Sequence, residues 1–286
     1  MKNRAFTLLE LLVVITIIGI LSSIVIVSMS DSTDSATIAK GKAYAQQVHA
    51  LLGYEAVLDL NFNENATGVC SDGKDVCDAS GYNNNGTVYG AFFVSSSVDG
   101  YALSFDGTND YIQLPNLGSL SSFTIEGWIR GDGDSLSGAT GYNTFVGSSG
   151  SNRLLYSMGG LMLAQMGAGN HHSSAVVSRG QWNHIAYVYN NTNSTAKWYI
   201  NGNPDSELVG AISFSQPTKI GAYDVVNYMM NGLIDDVRIY SEALPATEIQ
   251  KYYVQGLDKL LVNQVITQLE YDQRMAKFNQ SLVLYE

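Results

Sequence analysis

Acidic side chains that could hydrolyse a glycosidic bond are few and poorly spaced in this sequence. Retaining hydrolysis needs two carboxyl groups about 5 Å apart. Glu126 stands in the segment Thr-Ile-Glu-Gly-Trp without a neighbouring acid. Asp235 and Asp236 are consecutive, and consecutive residues of a strand point to opposite faces of a sheet. The sequence therefore argues against a polysaccharide hydrolase and predicts no catalytic residue.

The histidines and cysteines also offer little catalytic chemistry. His171 and His172 are consecutive in a Gly- and Ser-rich stretch, which favours a loop tip over a metal site. Cys70 and Cys77 enclose Ser-Asp-Gly-Lys-Asp-Val, and the Asp-Gly turn can bring the two ends together. Two cysteines are too few for a zinc site. In an oxidising compartment we expect them to form a local disulfide.

The element at the start of the chain is a long apolar segment. From Phe6 to Ser30 the sequence carries a single charge, Glu10. About 20 apolar residues are enough to cross a bilayer as a helix. Lys2 and Arg4 precede the segment, so the positive-inside rule predicts a cytoplasmic N-terminus and an exported remainder. A carboxylate within such a run is costly, which makes Glu10 a functional candidate.

The first ten residues resemble a known export signal. Met1 to Ala5, followed by Phe6-Thr-Leu-Leu-Glu10, is similar to the class III signal of type IV pilins and pseudopilins. The resemblance implies that prepilin peptidase cuts between Ala5 and Phe6 and that the new amine is methylated. It also implies that Glu10 pairs with the amine of a neighbouring subunit, a counter-charge that a buried carboxylate needs. The family usually has Gly where this chain has Ala5, and an uncleaved anchor is the alternative.

After the apolar segment, the spacing of apolar residues changes twice along the chain. Ile38, Ala45, Val48 and Leu52 keep helical spacing, whereas short strands of period two follow, separated by turn signals such as Asn201-Gly202. A second helical stripe follows Pro245 and is interrupted by Gly256. We expect it to pack on the β-rich part of the chain, here called the head, or against the long N-terminal helix, and the alternative is a helix that docks to a partner. The predicted segments are a leader at 1–5, a transmembrane or filament-core helix at 6–30, its soluble continuation at 31–53, a β-sandwich at 54–244 and a helical tail at 245–286.

The β-rich part resembles a second family. In order and spacing, its segments are similar to a laminin-G-like, concanavalin A-like lectin/glucanase domain. The segments that carry this resemblance are Leu103 to Tyr111, Ser122 to Trp128, Gln181 to Tyr187, Trp198 to Gly202, Gly232 to Tyr240 and Ala243 to Ile249. The resemblance implies a mainly β fold, a jelly roll of two curved antiparallel sheets. The glucanases of this family carry paired acids on one strand, and this chain lacks that motif.

The same resemblance implies one structural calcium ion, held by oxygen ligands. Asp235 matches a ligand position of relatives, and Asp78 and Asn61 are the further candidates. The alternative is that Asp78 caps an Asx-turn and that Asp235 is solvated.

Glycan binding would use exposed aromatic rings, and the sequence does not choose among them. Trp128 and Trp182 occupy core positions of the family pattern, so we expect them to be buried. Trp198 stands where relatives often have an aliphatic residue. The aromatic residues in loop-like stretches are Tyr82, Tyr89 and Tyr142.

Composition excludes one class of partner and leaves three functions open. The net charge is −11 without a basic cluster, which argues against nucleic-acid binding. The leading prediction is a non-enzymatic, single-pass pilin-like subunit that displays a lectin-like head for surface or glycan adhesion. Its implied partners are prepilin peptidase, other pilin or pseudopilin subunits, an inner-membrane assembly platform and surface glycans. The alternatives are a pseudopilin of a type II secretion or DNA-uptake system, with a periplasmic head, and third a polysaccharide-acting enzyme.

Overall fold

Alternating apolar and polar residues produce a strand-rich structure in the part of the chain that the computed structural model describes. The described residues are 54, 56–133, 141–148, 153–157, 160–166, 169–212, 214–215, 217–223 and 228–283. The predicted leader and helix at 1–53, with Ala5, Phe6 and Glu10, lie outside them. Among the described residues no helix is long and apolar enough to span a membrane.

Seventeen strands and two helices occupy the described residues. The strands are β1 (Ala56–Leu60), β2 (Thr87–Tyr89), β3 (Phe92–Val94), β4 (Ala102–Asp106), β5 (Tyr111–Gln113), β6 (Ser119–Leu120), β7 (Phe123–Gly131), β8 (Tyr142–Ser148), β9 (Arg153–Ser157), β10 (Leu161–Met166), β11 (Gly169–Val176), β12 (Asn183–Asn190), β13 (Thr195–Ile200), β14 (Asn203–Val209), β15 (Phe214–Ser215), β16 (Pro217–Ile220) and β17 (Asn231–Tyr240). The helices are α1 (Ala246–Val262) and α2 (Gln268–Val283).

The strands form two antiparallel sheets that face each other across an apolar core. Within the described residues, the eight-stranded sheet has the order β14-β13-β12-β7-β17-β4-β3, with β1 added beside β17. The seven-stranded sheet has the order β11-β10-β9-β8-β16-β5-β2, and β6 pairs with β15 separately. The predicted jelly-roll sandwich is confirmed.

Each sheet turns one set of alternate side chains to this core. On β7, Phe123, Ile125 and Ile129 are buried there, and on the opposite sheet Ile112 and Val146 meet them. Burial of such side chains contributes about 25 cal/mol per Å² of apolar surface, which is the main force holding the two layers together.

The two C-terminal helices pack on the outer face of the eight-stranded sheet, so the tail packs on the head. A second apolar cluster forms there between Trp128 and Trp182 of the sheet side and Tyr253, Leu257 and Phe278 of the helices. The helix α1 begins after Pro245, whose carbonyl accepts a hydrogen bond from the Glu248 N–H at 3.1 Å.

Gly256 does not interrupt this helix, and that prediction was wrong. The helix α1 runs through Gly256, which is buried against the Trp128 indole. A Cβ at this position would lie 2.4 Å from Trp128 Cζ2, closer than van der Waals contact allows. Gly256 is therefore a point of close approach between helix and sheet rather than a helix end.

Cys70 and Cys77 form a disulfide, as predicted. Their Cα atoms lie 5.4 Å apart, and the bridge closes the loop between β1 and β2. The Gly73 N–H donates to the Cys70 carbonyl at 2.8 Å, so the Asp-Gly turn does bring the two cysteines together.

Candidate functional site

A continuous polar row crosses the outer face of the seven-stranded sheet. Strand pairing aligns seven residues side by side: Thr87, Gln113, Lys219, Gly147, Arg153, Gln165 and Asn170. The adjacent row in the same strands is Val88, Ile112, Ile220, Val146, Leu154, Ala164 and His171. This second row is largely buried in the core, so the polar row faces away from it.

At the middle of the row a tyrosine cage surrounds Arg153. The guanidinium carbon of Arg153 lies 4.2 Å from the Tyr223 ring centroid and 4.6 Å from the Tyr228 ring centroid. Tyr142 meets Tyr228 edge to face at 6.0 Å. Cation–π contacts of this length fix the guanidinium in place.

Gly147 makes this cage possible. A Cβ at Gly147 would lie 2.4 Å from the Ala222 carbonyl oxygen and 2.9 Å from the Tyr223 Cα. The segment that carries Tyr223 can therefore lie directly on the strand, where it places its ring over Arg153.

A second aromatic pair lies toward the β2 end of the same face. Tyr89 and Tyr111 stack with their ring centroids 4.7 Å apart, and Tyr89 is 47% exposed. The Lys219 ammonium lies 5.7 Å from the Tyr111 ring centroid. Burial, with a smaller contribution from Tyr89, raises the pKa of Tyr111, so its hydroxyl stays protonated as a hydrogen-bond donor at neutral pH.

This arrangement suits a saccharide chain. Sugars offer hydroxyl groups that pair with amide, hydroxyl and cationic side chains, and apolar C–H faces that pack on aromatic rings. Seven strands at about 4.8 Å spacing give the row a length of about 29 Å, which fits an extended oligomer rather than a single ring.

Two clefts elsewhere in the described residues are less suited to a charged or polar ligand. They have volumes of about 340 and 240 Å³ and share Gln181 and Arg274 where α2 meets the sheet. Arg274 already donates to the Trp182 carbonyl at 2.7 Å and to Glu270 at 2.5 Å. Arg130 at the first cleft is likewise paired with Asp132 at 2.9 Å.

Glu126 is fully buried beneath the helices, at a place that a polysaccharide does not reach. Its Oε2 lies 3.5 Å from His184 Nε2, and the Tyr240 hydroxyl donates to its Oε1 at 3.4 Å. On the neighbouring strand, Arg238 is its pairing partner in the sheet. The sequence could not show this, because the cover comes from helices more than 100 residues away.

A β-bulge changes the geometry of Asp235 and Asp236. The register of β17 against β7 shifts between Asp235 and Arg238, and Asp236 has a φ of 48°. Simple alternation to opposite faces therefore fails. Asp235 Oδ2 accepts from the Val98 N–H at 2.8 Å, while Lys259 of α1 pairs with Asp236 at 3.6 Å.

Asp235 is buried rather than solvated. Its side chain is inaccessible, and burial followed by repulsion from Asp236 raises its pKa well above the ordinary value. Besides Val98, the N–H groups of Asp99 and Asp236 donate to this carboxyl group at 3.2 and 2.7 Å.

The other two calcium candidates lie close to Asp235 along the strands. Leu60 pairs with Val237 and also with Asp78, and Asn61 follows Leu60 directly. The Asp78 carboxylate accepts four hydrogen bonds, from the Asp59, Ser80 and Asn84 N–H groups and the Ser80 hydroxyl. Asn61 Oδ1 accepts from the Asn63 N–H at 3.2 Å.

These oxygens fit a calcium site poorly. The carboxyl groups of Asp235 and Asp78 already accept hydrogen bonds that would have to be given up to a cation. Among the described residues no group of three or more His, Cys, Asp or Glu side chains is arranged to hold a metal ion. Calcium binding stays a prediction.

The two histidines lie in a strand, so the predicted loop tip was wrong. Strand β11 begins at Gly169, which places His171 and His172 inside it. His171 is buried, with Nδ1 3.2 Å from the Tyr187 hydroxyl, and burial lowers its pKa. His172 points the other way and is exposed.

The aromatic candidates divide cleanly by exposure. Trp128, Trp182 and Trp198 are each at most 2% exposed, and Trp198 Nε1 donates to the His171 carbonyl at 3.0 Å. Tyr82 is 56% exposed in the loop between β1 and β2, outside the strands of the seven-stranded sheet. Tyr89 ends β2 and Tyr142 begins β8, so both belong to the site face rather than to loops.

The remaining site residues were missed by the sequence analysis. Tyr111, Arg153, Lys219, Tyr223 and Tyr228 carry no local signal of their own. Only the pairing of β5, β8, β9 and β16, which are far apart in the chain, brings them to one face.

Two family models match the chain. Residues 106–250, just over half of the chain, match the concanavalin A-like lectin/glucanases superfamily. Residues 1–26 match the prokaryotic N-terminal methylation motif. The motif implies processing by prepilin peptidase, assembly with pilin-type subunits and a location in the cell envelope. No curated protein matches the chain.

Solved structures show the same fold at low identity. The binding domain of Paraclostridial Mosquitocidal Protein 1 is 20% identical, with a TM-score of 0.54 over 71% of this chain and 53% of that one. Domain 4 of AbnA, an extracellular arabinanase from Geobacillus stearothermophilus, is 19% identical, with a TM-score of 0.51 over 69% of this chain and 97% of that one.

The Botulinum Neurotoxin Type G receptor binding domain is 16% identical, with a TM-score of 0.52 over 70% of this chain and 51% of that one. The chain therefore spans about half the length of these toxin domains and nearly all of the arabinanase domain. The chain belongs to the concanavalin A-like lectin/glucanases superfamily and joins such a domain to an N-terminal methylation motif of the type IV pilin type.

Proposed function

We propose that this chain is a non-enzymatic pilin-like subunit whose β-sandwich head binds carbohydrate at surfaces, on the outer face of the seven-stranded sheet. The observation that carries the proposal is the polar row from Thr87 to Asn170, flanked by the Tyr89–Tyr111 stack and the tyrosine cage of Arg153. Most side chains of this row are at least partly exposed, whereas Glu126 is fully buried beneath the helices.

The comparisons support binding rather than catalysis. The AbnA domain was solved in complex with arabinotriose, and the two toxin domains are named as binding domains. The N-terminal motif supports display from the cell envelope through the segment at 6–30, by cleavage between Ala5 and Phe6 and pairing of Glu10 with a neighbouring subunit.

Removing the aromatic stack is expected to weaken glycan binding about tenfold, which is about 1.4 kcal/mol and within the range of aromatic contacts. The double variant Tyr89→Ala/Tyr111→Ala is compared with wild type, both full-length in detergent. A glycan array first identifies the best ligand, and titration calorimetry then measures its affinity.

Tyr82→Ala is the matched control, since Tyr82 is at least as exposed as Tyr89 but is not part of a strand of this sheet. Equal weakening by the control and the double variant would contradict the proposed face. A blank array would overturn carbohydrate binding itself and leave only a role in assembly.

Mass spectrometry of the protein from its native membrane is expected to show an N-terminus at Phe6 carrying one methyl group. The reason is that prepilin peptidase cuts such signals before the Phe and methylates the new amine. A strain with inactive prepilin peptidase is the control and should keep Met1. An intact Met1 in the wild-type strain would refute processing at Ala5.

A further inference from the structure

The charges of the polar row are all of one sign. Lys219 and Arg153 stand two strands apart in it, on either side of Gly147, and the other members are Thr, Gln, Gln and Asn. The row holds no carboxylate, although the whole chain has 26 acidic and only 15 basic residues. This row therefore differs in charge from the chain as a whole.

Arg153 and Lys219 contact aromatic rings rather than carboxylates. Tyr223 and Tyr228 fix the Arg153 guanidinium at 4.2 and 4.6 Å, and its Nε is buried without a hydrogen-bond partner among the described residues. A ligand reaches the guanidinium through its outer nitrogens, because Nε itself is inaccessible. Lys219 lies beside the Tyr111 ring.

Several other cations of the head pair with carboxylates. Lys197 pairs with Glu207 at 2.8 Å, Lys251 with Glu248 at 3.2 Å and Arg274 with Glu270 at 2.5 Å. The nearest aromatic neighbours of Arg153 and Lys219 attract the cations without neutralising them. Their full charge remains available on the sheet face.

Resting on the proposed carbohydrate site, we infer that its ligand is an anionic saccharide, with acidic groups that Lys219 and Arg153 bind. Arg153 presents planar donors that match a carboxylate or a sulfate, and Lys219 adds a point charge two strands away, about 10 Å along the row. That spacing suits two acidic groups on separate residues of one extended polymer. The Thr87, Gln165 and Asn170 side chains then serve the neutral hydroxyl groups, since the Gln113 amide nitrogen already donates to the Leu114 and Thr218 carbonyls.

The test uses the full-length chain in detergent and two matched pairs of polymers. Polygalacturonate is compared with its carboxyl-reduced form, and dextran sulfate with dextran. Binding to at least one acidic polymer is expected to be at least tenfold tighter than to its neutral partner, and to weaken as salt rises. The pair that shows the difference tells carboxylate from sulfate.

Substitutions then test which cations bind the acidic polymer. Lys219→Gln and Arg153→Gln are each expected to weaken acidic-polymer binding about tenfold or more, as expected for loss of a charge-assisted hydrogen bond. Lys197→Gln is the control, because it removes the same charge from the other sheet. Equal loss in all three variants would mean that attraction is non-specific and would overturn the inference.

The outcomes separate the inference from the proposed function. Equal binding of neutral and acidic partners would refute anionic recognition while leaving carbohydrate binding intact. Failure to bind any polymer of either kind, together with a blank glycan array, would refute both.

Discussion

Replacing Gly256 with leucine is expected to undock the C-terminal helices and to lower the free energy of unfolding by about 3 kcal/mol. The Cβ alone would lie 2.4 to 2.6 Å from three atoms of the Trp128 indole, which is itself buried between sheet and helix. Leucine is a better helix former than glycine, so the loss cannot come from helix propensity. Urea unfolding, monitored by tryptophan fluorescence, measures this loss of stability.

The neighbouring variant Gln255→Leu is the control. Gln255 is exposed in the same helix, so leucine there adds the same side chain without meeting the sheet. It should change stability by no more than about 0.5 kcal/mol. If both variants behave alike, Gly256 is not a packing requirement.

Replacing Arg238 with methionine is expected to lower the free energy of unfolding by about 3 to 5 kcal/mol. It removes the counter-charge of the half-buried Asp59 and leaves the buried Asp236 only its longer contact to Lys259. Arg238 Nε lies 3.2 Å from Asp59 Oδ1, and its Nη2 lies 3.5 Å from Asp236 Oδ1. Burial alone would lower the pKa of Arg238, yet Asp236, Asp59 and Glu126 outweigh it and raise that pKa. Methionine keeps much of the volume and removes the charge.

The pH dependence distinguishes this effect from lost packing. Burial raises the pKa of Asp59, and Arg238 partly offsets the rise. Without Arg238 the folded-state pKa of Asp59 rises further above its unfolded value. The loss of stability therefore arises from the ionised form of Asp59. The difference in the free energy of unfolding between wild type and Arg238→Met should therefore be largest at pH 7 and should shrink as the pH falls toward 4.

Arg130→Met is the control for this variant. Arg130 lies in the same sheet but forms a partly exposed ion pair with Asp132 at 2.9 Å, which is worth less than about 1 kcal/mol. A deficit in Arg238→Met that is equal at pH 4 and pH 7 would contradict the electrostatic explanation.

Short sequence patterns were enough to predict individual strands and the disulfide. Alternation in Phe123 to Ile129 predicts a strand, and β7 covers it. The Asp-Gly turn between Cys70 and Cys77 predicts the disulfide, which the structure contains. In both cases the signal lies within a short stretch of the sequence, although β7 itself pairs with the distant strands β12 and β17.

The wrong or missing predictions concern residues whose surroundings are set by elements far away in the sequence. Gly256 looks like a helix interruption until the Trp128 ring occupies the space where a side chain would be. The alternative of a solvated Asp235 fails because the carboxyl group is buried and accepts N–H groups of Val98 and Asp99, more than 130 residues earlier in the chain. The alignment of Arg153 with Lys219 depends on the register of three strands, for which a single sequence carries no marker.

The position of β17 in the chain has a consequence for folding during synthesis. This strand lies at the centre of the eight-stranded sheet and pairs with β1, β4 and β7, all more than 90 residues earlier. Contacts of such long sequence separation form slowly, because the loop entropy must be lost first. The eight-stranded sheet therefore cannot be completed until residue 240 has left the ribosome.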